Sequence, residues 1–259
     1  MTKVISLANQ KGGVGKTTTA MNLATALAAV QKNILLVDLD PQGNASTGFG
    51  ISLKDRTPGT YEFIEGLEDS KECLRATQIP GLFILPASEH LAGAEIELVN
   101  VDDRENHLKN GLQKIKNAFD YVLIDCPPSL SLLTLNALAA SDSILIPLQC
   151  EFYSLEGLAH LLKTIQRIRT TINPLLQIEG IVLTMYDKRN TLSAQVAYEV
   201  QNHLPDHVFK TIIPRNVRVS EAPSFGKPVL IYDVKCPGSI AYMNLASELL
   251  TRQHKERKI

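Results

Sequence analysis

The chain reads Lys11-Gly12-Gly13-Val14-Gly15-Lys16-Thr17-Thr18 directly after the apolar run Val4–Ala8, and this stretch decides the fold. A glycine-rich loop between a strand and a helix, ending in Gly-Lys-Thr, forms a cradle whose backbone N–H groups point at a phosphate. The loop 11–18 is therefore predicted to bind a nucleoside triphosphate, with Mg²⁺ held partly by Thr17.

The loop departs from the usual spacing G-x-x-x-x-G-K-[ST], which would place glycine at position 10. Gln10 stands there instead, and an additional lysine, Lys11, follows it. Lys16 has the usual role of meeting the β- and γ-phosphates as a point charge. Lys11 lies at the loop entrance with no evident target in its own subunit. We therefore expect it to reach the phosphate of a facing subunit, which would make ATP part of a dimer interface.

Strand and helix patterns alternate along the chain. Nearly continuous apolar runs predict strands buried on both faces, as in a mostly parallel sheet; they fall at Val4–Ala8, Asn33–Leu39, Leu82–Pro86, Tyr121–Asp125, Ser143–Leu148, Ile178–Thr184 and Val208–Ile213. Helical periodicity lies between them, at about 16–31, 103–117, 131–140, 154–172, 191–203 and 238–256. The alternation predicts an α/β chain with a three-layer, doubly wound, mostly parallel twisted sheet. Residues 1–259 contain no linker or repeat and are expected to form a single domain.

Acidic residues end two of the predicted strands. Asp38 and Asp40 lie in the sequence DLDPQG at 38–43, and Asp125 ends the strand that begins at Tyr121. The carboxyl ends of parallel strands line the ligand crevice, and alternate residues of an extended chain face the same side. We assign Asp40 to the attacking water, Asp38 to the outer shell of Mg²⁺ and Asp125 to a Mg²⁺-bound water.

The C-terminal third is basic, although the net charge of the chain is −1. From Met185 to Ile259 there are 11 Lys/Arg against 7 Asp/Glu, a net +4, which leaves −5 for the remainder. A local basic face is thus compatible with a nearly neutral protein. Candidates for DNA phosphate contacts are Arg189, Arg215, Arg218 and Lys235, while Pro214 and Asn216 are candidates to flank an adenine ring.

The composition places the chain among globular proteins of the cytoplasm. Its 44% apolar and 20% charged residues are ordinary, and no apolar run approaches the roughly 20 residues that span a bilayer. The strand-like start leaves no room for a signal peptide. Four scattered cysteines without a C-x-x-C pair are typical of reduced thiols rather than of disulfides or a metal site.

Four blocks of the sequence together resemble the chromosomal ParA/Soj partition ATPases, which are P-loop NTPases of the deviant Walker A class. The blocks are the loop 11–18, the turn 38–43, the strand end 125–128, and the stretch from Pro214-Arg215-Asn216 through Ser220-Glu221-Ala222-Pro223 to Gly226-Lys227-Pro228. The first block is shared by the wider class, and the last is the most specific. The resemblance runs over essentially the whole chain.

The resemblance implies an ATP-dependent sandwich dimer with both nucleotides at its interface. Lys11 would reach the partner's phosphates, Gly12 would face its counterpart, Thr17 would bind Mg²⁺, and Asp40 would be required for hydrolysis. Arg189 and Arg218 match positions that bind DNA non-specifically in the dimer. The implied partner is a ParB-type centromere-binding protein whose basic N-terminal segment stimulates a slow ATPase. ATP binding would then control association with the nucleoid.

Three other functions use the same fold and stay open at this point. A MinD-type membrane ATPase needs a C-terminal amphipathic helix, and the segment 246–259 has a short apolar face without Phe or Trp. An iron–sulfur carrier needs two suitably placed cysteines, and Cys126 alone lies near the right strand end. A biosynthetic ATPase related to dethiobiotin synthetase lacks support from the block 214–228.

Overall fold

Seven strands form one sheet within residues 2–256, the part of the chain that the computed structural model describes. Their order in the sheet is β3-β4-β2-β5-β1-β6-β7, and the antiparallel pairing of β3 with β4 is the exception to parallel pairing. The strands are β1 (Lys3–Leu7), β2 (Ile34–Asp38), β3 (Arg75–Ala76), β4 (Leu82–Leu85), β5 (Tyr121–Asp125), β6 (Ser143–Gln149) and β7 (Gln177–Thr184). The predicted doubly wound α/β fold is confirmed.

Helices cover both faces of this sheet. They are α1 (Lys16–Ala29), α2 (Asn44–Gly48), α3 (Thr60–Glu65), α4 (Leu91–Glu97), α5 (His107–Ile115), α6 (Leu132–Ala140), α7 (Ser154–Thr171), α8 (Thr191–His203), α9 (Val217–Glu221), α10 (Val229–Tyr232) and α11 (Pro237–Glu256). Successive strand residues enter opposite hydrophobic clusters, as the two-residue period of a strand requires. In β2, Leu35 packs on the side of α5 to α7, whereas Leu36 packs on the side of α1 and α11.

The register of the central strands places the predicted acidic residues side by side. Asp125 of β5 is paired with Asp38 of β2 on one side and with Leu7 of β1 on the other. The loop that follows β1 therefore starts directly beside both carboxylates. The site lies at the carboxyl edge of the sheet, where a parallel α/β fold forms its ligand crevice.

The predicted strand Val208–Ile213 is wrong. The segment runs beside β7 but makes isolated bridges, from Val208 to Ile181 and from Pro214 to Tyr186. Between them the backbone N–H groups of Lys210 and Thr211 donate to the Glu248 carboxylate at 2.8 and 2.9 Å. Because a side chain of α11 takes these two donors, the segment cannot continue a ladder with β7.

Other differences concern short elements. The helix predicted at 103–117 begins at His107, and the stretch between β2 and β4 contains α2, α3 and β3. The charged run 252–258 is typical of a frayed, solvated helix end. Helix α11 is described as far as Glu256, so the rest of this run lies outside the described residues. Within residues 2–256, no helix combines the length and the apolar character needed to cross a bilayer.

Candidate functional site

The glycine-rich loop leaves the carboxyl end of β1 and passes directly into α1. Gly13 and Gly15 have left-handed backbone angles, φ 72° and 86°, which glycine adopts without steric strain. Gly12 and Gly13 are exposed, so their backbone is accessible to a ligand. The unpaired N–H groups at the start of α1 lie at the positive end of the helix dipole. The loop therefore has the conformation and the charge of a phosphate site.

Neighbouring strands hold this loop in place. The buried Asn9 donates from its side-chain amide to the Pro147 carbonyl at 2.8 Å, and its Oδ1 accepts from the Lys11 N–H at 3.0 Å. At the end of β7, the Thr184 hydroxyl donates to the Val14 carbonyl at 2.8 Å. Contacts from β6 and β7 thus fix the shape of the loop.

Lys16 lies inside the cradle and is 6% exposed. Its Nζ donates to the Lys11 carbonyl at 3.4 Å. Burial lowers the pKa of Lys16, while the carboxylates of Asp125 and Asp40 act in the opposite direction. A desolvated ammonium near the loop amides attracts a polyphosphate more strongly than the same group in water would.

Asp38 and Asp125 are both fully buried. Asp38 Oδ2 accepts from the Ser46 N–H at 2.8 Å and from the Ser46 hydroxyl at 2.7 Å. Burial is the main cause that raises the pKa of Asp38 to about 6. Burial also raises the pKa of Asp125 well above its usual range, and the neighbouring Asp38 carboxylate is the next largest cause of that shift. Two acidic groups are thus held together in a site that disfavours their negative charge.

Asp40 lies beyond this pair, in the turn after β2, and is 8% exposed. Its Oδ1 accepts from the Gln42 N–H at 3.0 Å, and its carbonyl accepts from the Gly43 N–H at 2.8 Å. Gly43 has φ 61°, and a Cβ on it would lie 2.3 Å from Arg56 Nη1. The tight turn therefore sets the orientation of the Asp40 carboxylate.

The residues of the site fit a magnesium ion. Asp38 Oδ1 and both carboxylate oxygens of Asp125 are buried without a hydrogen bond of normal geometry, although the Thr17 hydroxyl is near enough to lower the pKa of Asp125. Among the described residues, no group of three His, Cys, Asp or Glu could hold a metal ion by itself. This donor set suits Mg²⁺, which prefers oxygen ligands and completes its shell with water and substrate phosphates.

A cleft of about 240 Å³ opens beside the loop. Pro214 and Asn216 line it together with Gly15, Thr18 and Met185. Both residues predicted to flank an adenine ring therefore lie beside the glycine-rich loop.

Lys11 does have a target in its own subunit, which corrects the sequence-based expectation. Its Nζ lies 2.6 Å from Glu151 Oε2, and both side chains are partly exposed. Glu151 follows β6, the neighbour of β1, so its position at the carboxyl edge of the sheet explains the contact. Exposed ion pairs are weak, about 0–1 kcal/mol, so this contact does not prevent Lys11 from turning outward.

Comparisons with known proteins agree with this geometry. A family model described as an AAA domain matches residues 2–178. Chromosome partitioning protein ParA of Caulobacter vibrioides (strain NA1000 / CB15N) is 54% identical over 253 residues, covering 97% of this chain and 95% of the relative. Sporulation initiation inhibitor protein Soj of Bacillus subtilis (strain 168) is 51% identical over 249 residues, covering 96% of this chain and 98% of the relative. The chain belongs to the ParA/Soj family of chromosome-partitioning ATPases.

The ParA/Soj assignment is accompanied by a close structural similarity to a protein with another name. The crystal structure of cobyrinic acid a,c-diamide synthase from Mycobacterium smegmatis, with bound ADP and magnesium, has a TM-score of 0.88 and 37% identity, covering 100% of this chain and 98% of that one. The ParA and Soj relatives have higher identity over nearly the same length.

Two of the four cations predicted to bind DNA in this ParA/Soj chain are paired with acids. Arg189 donates to Asp187 through Nε at 3.0 Å and Nη2 at 2.8 Å. Arg218 lies 3.1 Å from Glu221 and 3.6 Å from Asp233. Their charges are therefore partly compensated in this conformation.

Arg215 and Lys235 are also exposed, and neither forms an ion pair with an acid in residues 2–256. Both lie close to the paired arginines: Asp187 is near enough to Arg215 for the guanidinium to lower the pKa of the carboxyl group, and Lys235 N–H donates to Asp233 at 3.2 Å. The structure therefore brings the four predicted residues to one region of the surface.

Sequence reasoning missed three residues that shape this ParA/Soj site. Asn9 and Ser46 act through hydrogen bonds to the loop and to Asp38, and neither has a recognisable local pattern. Glu151 could have been found, because it follows a predicted strand at the edge where the ligand is expected.

Replacing Asp38 with asparagine is expected to stabilise the protein when nucleotide and Mg²⁺ are absent. The folded state raises the pKa of Asp38 from 3.8 to about 6, so the native state binds more protons than the unfolded state between these values. The contribution of Asp38 to wild-type stability therefore falls as the pH rises through this window, by about 3 kcal/mol. Thermal melts should show a higher Tm for Asp38→Asn at pH 7.5, with the difference shrinking towards pH 4. If Asp38→Asn and wild type have the same Tm at pH 7.5, this expectation is contradicted.

Proposed function

We propose that the chain is an ATP-driven switch that partitions DNA. Two copies bind ATP and Mg²⁺, join face to face through their nucleotide sites, and bind double-stranded DNA without sequence preference. Hydrolysis, slow until a ParB-type partner stimulates it, separates the copies and releases the DNA. Residues 1–259 would act as one ATPase domain, cytoplasmic and associated with the nucleoid while ATP is bound. The observation that carries the proposal is the complete phosphate and acid site in a chain 54% identical to a chromosome partitioning ParA.

The phosphate loop supports the first step, nucleotide binding. The amides of 12–18 and the Lys16 ammonium would hold the β- and γ-phosphates, while Pro214 and Asn216 flank the base. Thr17, with Asp38 and Asp125 acting through water, would hold Mg²⁺, which neutralises phosphate charge and supplies Lewis acidity. Binding of Mg²⁺ would also offset the unfavourable burial of the Asp38 and Asp125 carboxylates.

The position of the Asp40 carboxylate supports the second step, ATP hydrolysis. The carboxylate has its orientation set by the Gln42 amide and lies beside Asp38 and Asp125. In this position it would orient the attacking water and accept its proton. Lys11 of each copy would leave Glu151 and contact the phosphates bound by the other copy, so that each site becomes complete in the dimer. Gly12, exposed and without a side chain, allows the two loops to approach closely.

Dimerisation would couple ATP binding to DNA binding. Each copy carries four cations, Arg189, Arg215, Arg218 and Lys235, in one surface region, and a two-fold dimer doubles them. Each phosphate contact contributes about −0.9 to the slope of log K against log salt. Doubling the contacts therefore changes the affinity for DNA by orders of magnitude at moderate salt.

A MinD-type membrane role is less well supported. The apolar residues of α11, including Tyr242, Leu245 and Leu249, are buried against α1 in the core. The described part of the C-terminal helix therefore has its apolar face occupied within the protein.

Binding to random-sequence duplex DNA tests the proposal. We expect wild type to bind with ATP and Mg²⁺ but not with ADP or without nucleotide, and Arg218→Glu to bind at least about tenfold more weakly. Arg167→Glu, a reversal of an exposed charge on α7, is the matched control and should bind as wild type. Equal affinity of wild type with ATP, with ADP and without nucleotide would reject the switch.

A further inference from the structure

Arg56, in the loop between α2 and α3, is a buried cation outside the phosphate and acid site. It is 5% exposed, and within residues 2–256 it forms no ion pair with an acid. Burying a guanidinium without a carboxylate partner is unfavourable unless its N–H groups find other acceptors. An apolar side chain would fill the same space without this cost. The contacts of the guanidinium therefore indicate what the arginine supplies.

The Arg56 guanidinium spans one side of helix α2. Its Nη2 donates to the Thr47 hydroxyl at 2.8 Å, and its Nε and Nη2 donate to the Ile51 carbonyl at 3.2 and 3.1 Å. Its Nη1 occupies the place where a Cβ on Gly43 would stand, and its Cζ lies 3.4 Å from that place. Gly43, Thr47 and Ile51 are four residues apart, which is about one helical turn. One planar group therefore fixes the residue before α2, a residue within it and the segment after it.

These contacts lead to the turn that carries Asp40. The Thr47 hydroxyl, which accepts from Arg56, itself donates to the Gly43 carbonyl at 3.0 Å, and the Thr47 N–H donates to the same carbonyl at 2.9 Å. The Gly43 N–H in turn donates to the Asp40 carbonyl at 2.8 Å. Loss of the guanidinium would free Gly43 both from the packing contact and from the hydrogen-bonded link through Thr47. The Asp40 turn would then lose its support on that side.

We propose that Arg56 is a positioning residue for ATP hydrolysis, which holds the Asp40 turn in the orientation that the attacking water requires. The inference rests on the proposed function, because that function assigns the water to Asp40. The hydrogen bonds of the Arg56 guanidinium end on Thr47 and Ile51 and not on the loop 11–18. Its loss should therefore slow the chemical step and leave nucleotide binding intact. Misplacing a catalytic group by about 1 Å costs up to about 10²-fold in rate.

The test begins with Arg56→Lys, which keeps the charge but replaces the planar fork of N–H groups with one ammonium. We expect kcat for ATP hydrolysis to fall about 10- to 100-fold. The KM for ATP, the ATP affinity and ATP-dependent dimerisation should stay within about threefold of wild type, since ground-state binding is unchanged.

Arg75→Lys is the matched control. Arg75 holds the same loop, because it donates to the Asp55 and Pro58 carbonyls, both at 2.9 Å. In the part of the chain that the structure describes, none of its hydrogen bonds reaches residues 38–47. This variant should lower the Tm as Arg56→Lys does but keep the wild-type kcat.

Two further variants separate positioning from a general loss of stability. In a double-mutant cycle, Arg56→Lys added to Asp40→Ala should slow hydrolysis no further, because the two residues act as one unit. A merely structural role would slow both backgrounds by the same factor. Thr47→Val removes the hydroxyl between Arg56 and Gly43 at an exposed position and leaves the charge unchanged. It should lower kcat severalfold, and it tests the link even if Arg56→Lys does not fold.

The outcomes distinguish this inference from the proposed function. If Asp40→Ala slows hydrolysis while Arg56→Lys and Thr47→Val keep the wild-type rate, the inference is overturned and the proposed function stands. Equal slowing by Arg56→Lys with and without the Asp40 carboxylate also overturns it, as does a parallel loss of ATP affinity, because Arg56 then acts on the fold as a whole. If wild type does not hydrolyse ATP, or Asp40→Ala hydrolyses it as fast as wild type, the proposed function fails at hydrolysis and this inference fails with it.

Discussion

Lys11→Ala is expected to abolish ATP-dependent dimerisation and ATP hydrolysis while ATP still binds to the monomer. The loop amides, Lys16 and the cleft lined by Pro214 and Asn216 are all intact in this variant, so the nucleotide should keep its proposed contacts within one subunit. The cation proposed to cross the interface is lost, and the facing phosphates then repel each other without compensation. Light scattering with ATP and Mg²⁺ should show a monomer, and titration should give an ATP affinity within about threefold of wild type. Phosphate release should fall at least about a hundredfold, which is the scale of a lost transition-state contact.

Glu151→Gln is the matched control for this variant. It removes the same 2.6 Å ion pair with Lys11 but keeps the lysine itself. If the lysine acts across the interface, Glu151→Gln should dimerise and hydrolyse ATP at least as well as wild type. If both variants lose dimerisation equally, the ion pair stabilises the loop within one subunit and the role across the interface is wrong.

The parts of this site that sequence predicts are those fixed by strand register. The apolar run before the loop is buried on both faces, and Asp38 and Asp125 end strands that pair directly with each other. Because parallel strands share one carboxyl edge, motifs that follow such strands converge without knowledge of distant contacts. The phosphate loop, the acidic pair and the Asp40 turn were predicted in this way.

The parts that sequence did not predict depend on contacts between distant segments. Glu248 takes the backbone donors of Lys210 and Thr211, so an apolar run that resembles a strand does not form one. The pairing of Arg218 with Asp233 joins residues 15 positions apart, across the segment that contains the rest of α9 and all of α10. Counting charges along the chain indicated a basic third, but it could not show which cations are already paired with acids.

Asp40→Ala is expected to separate ATP binding from ATP hydrolysis. The carboxylate of Asp40 is proposed to orient the attacking water and accept its proton, and a positioned general base contributes about 10²- to 10⁴-fold to a rate. Dimerisation is proposed to depend instead on the phosphates, Lys11 and Mg²⁺, and the variant retains the residues that would bind them. We therefore expect phosphate release to fall by about this factor, while the ATP-bound dimer forms and persists.

The consequence for DNA follows from the same separation. A dimer that cannot hydrolyse ATP keeps its doubled set of cations, so Asp40→Ala should remain on random-sequence DNA long after free ATP is removed, whereas wild type dissociates. Gln42→Ala is the matched control, because Gln42 contacts Asp40 through its backbone N–H, which alanine retains, and its own side chain is exposed. Stopped-flow release from labelled DNA, read beside phosphate release, measures both effects. If Asp40→Ala leaves DNA as fast as wild type, release is not driven by hydrolysis at this site, and the cycle proposed for this chain is wrong at its final step.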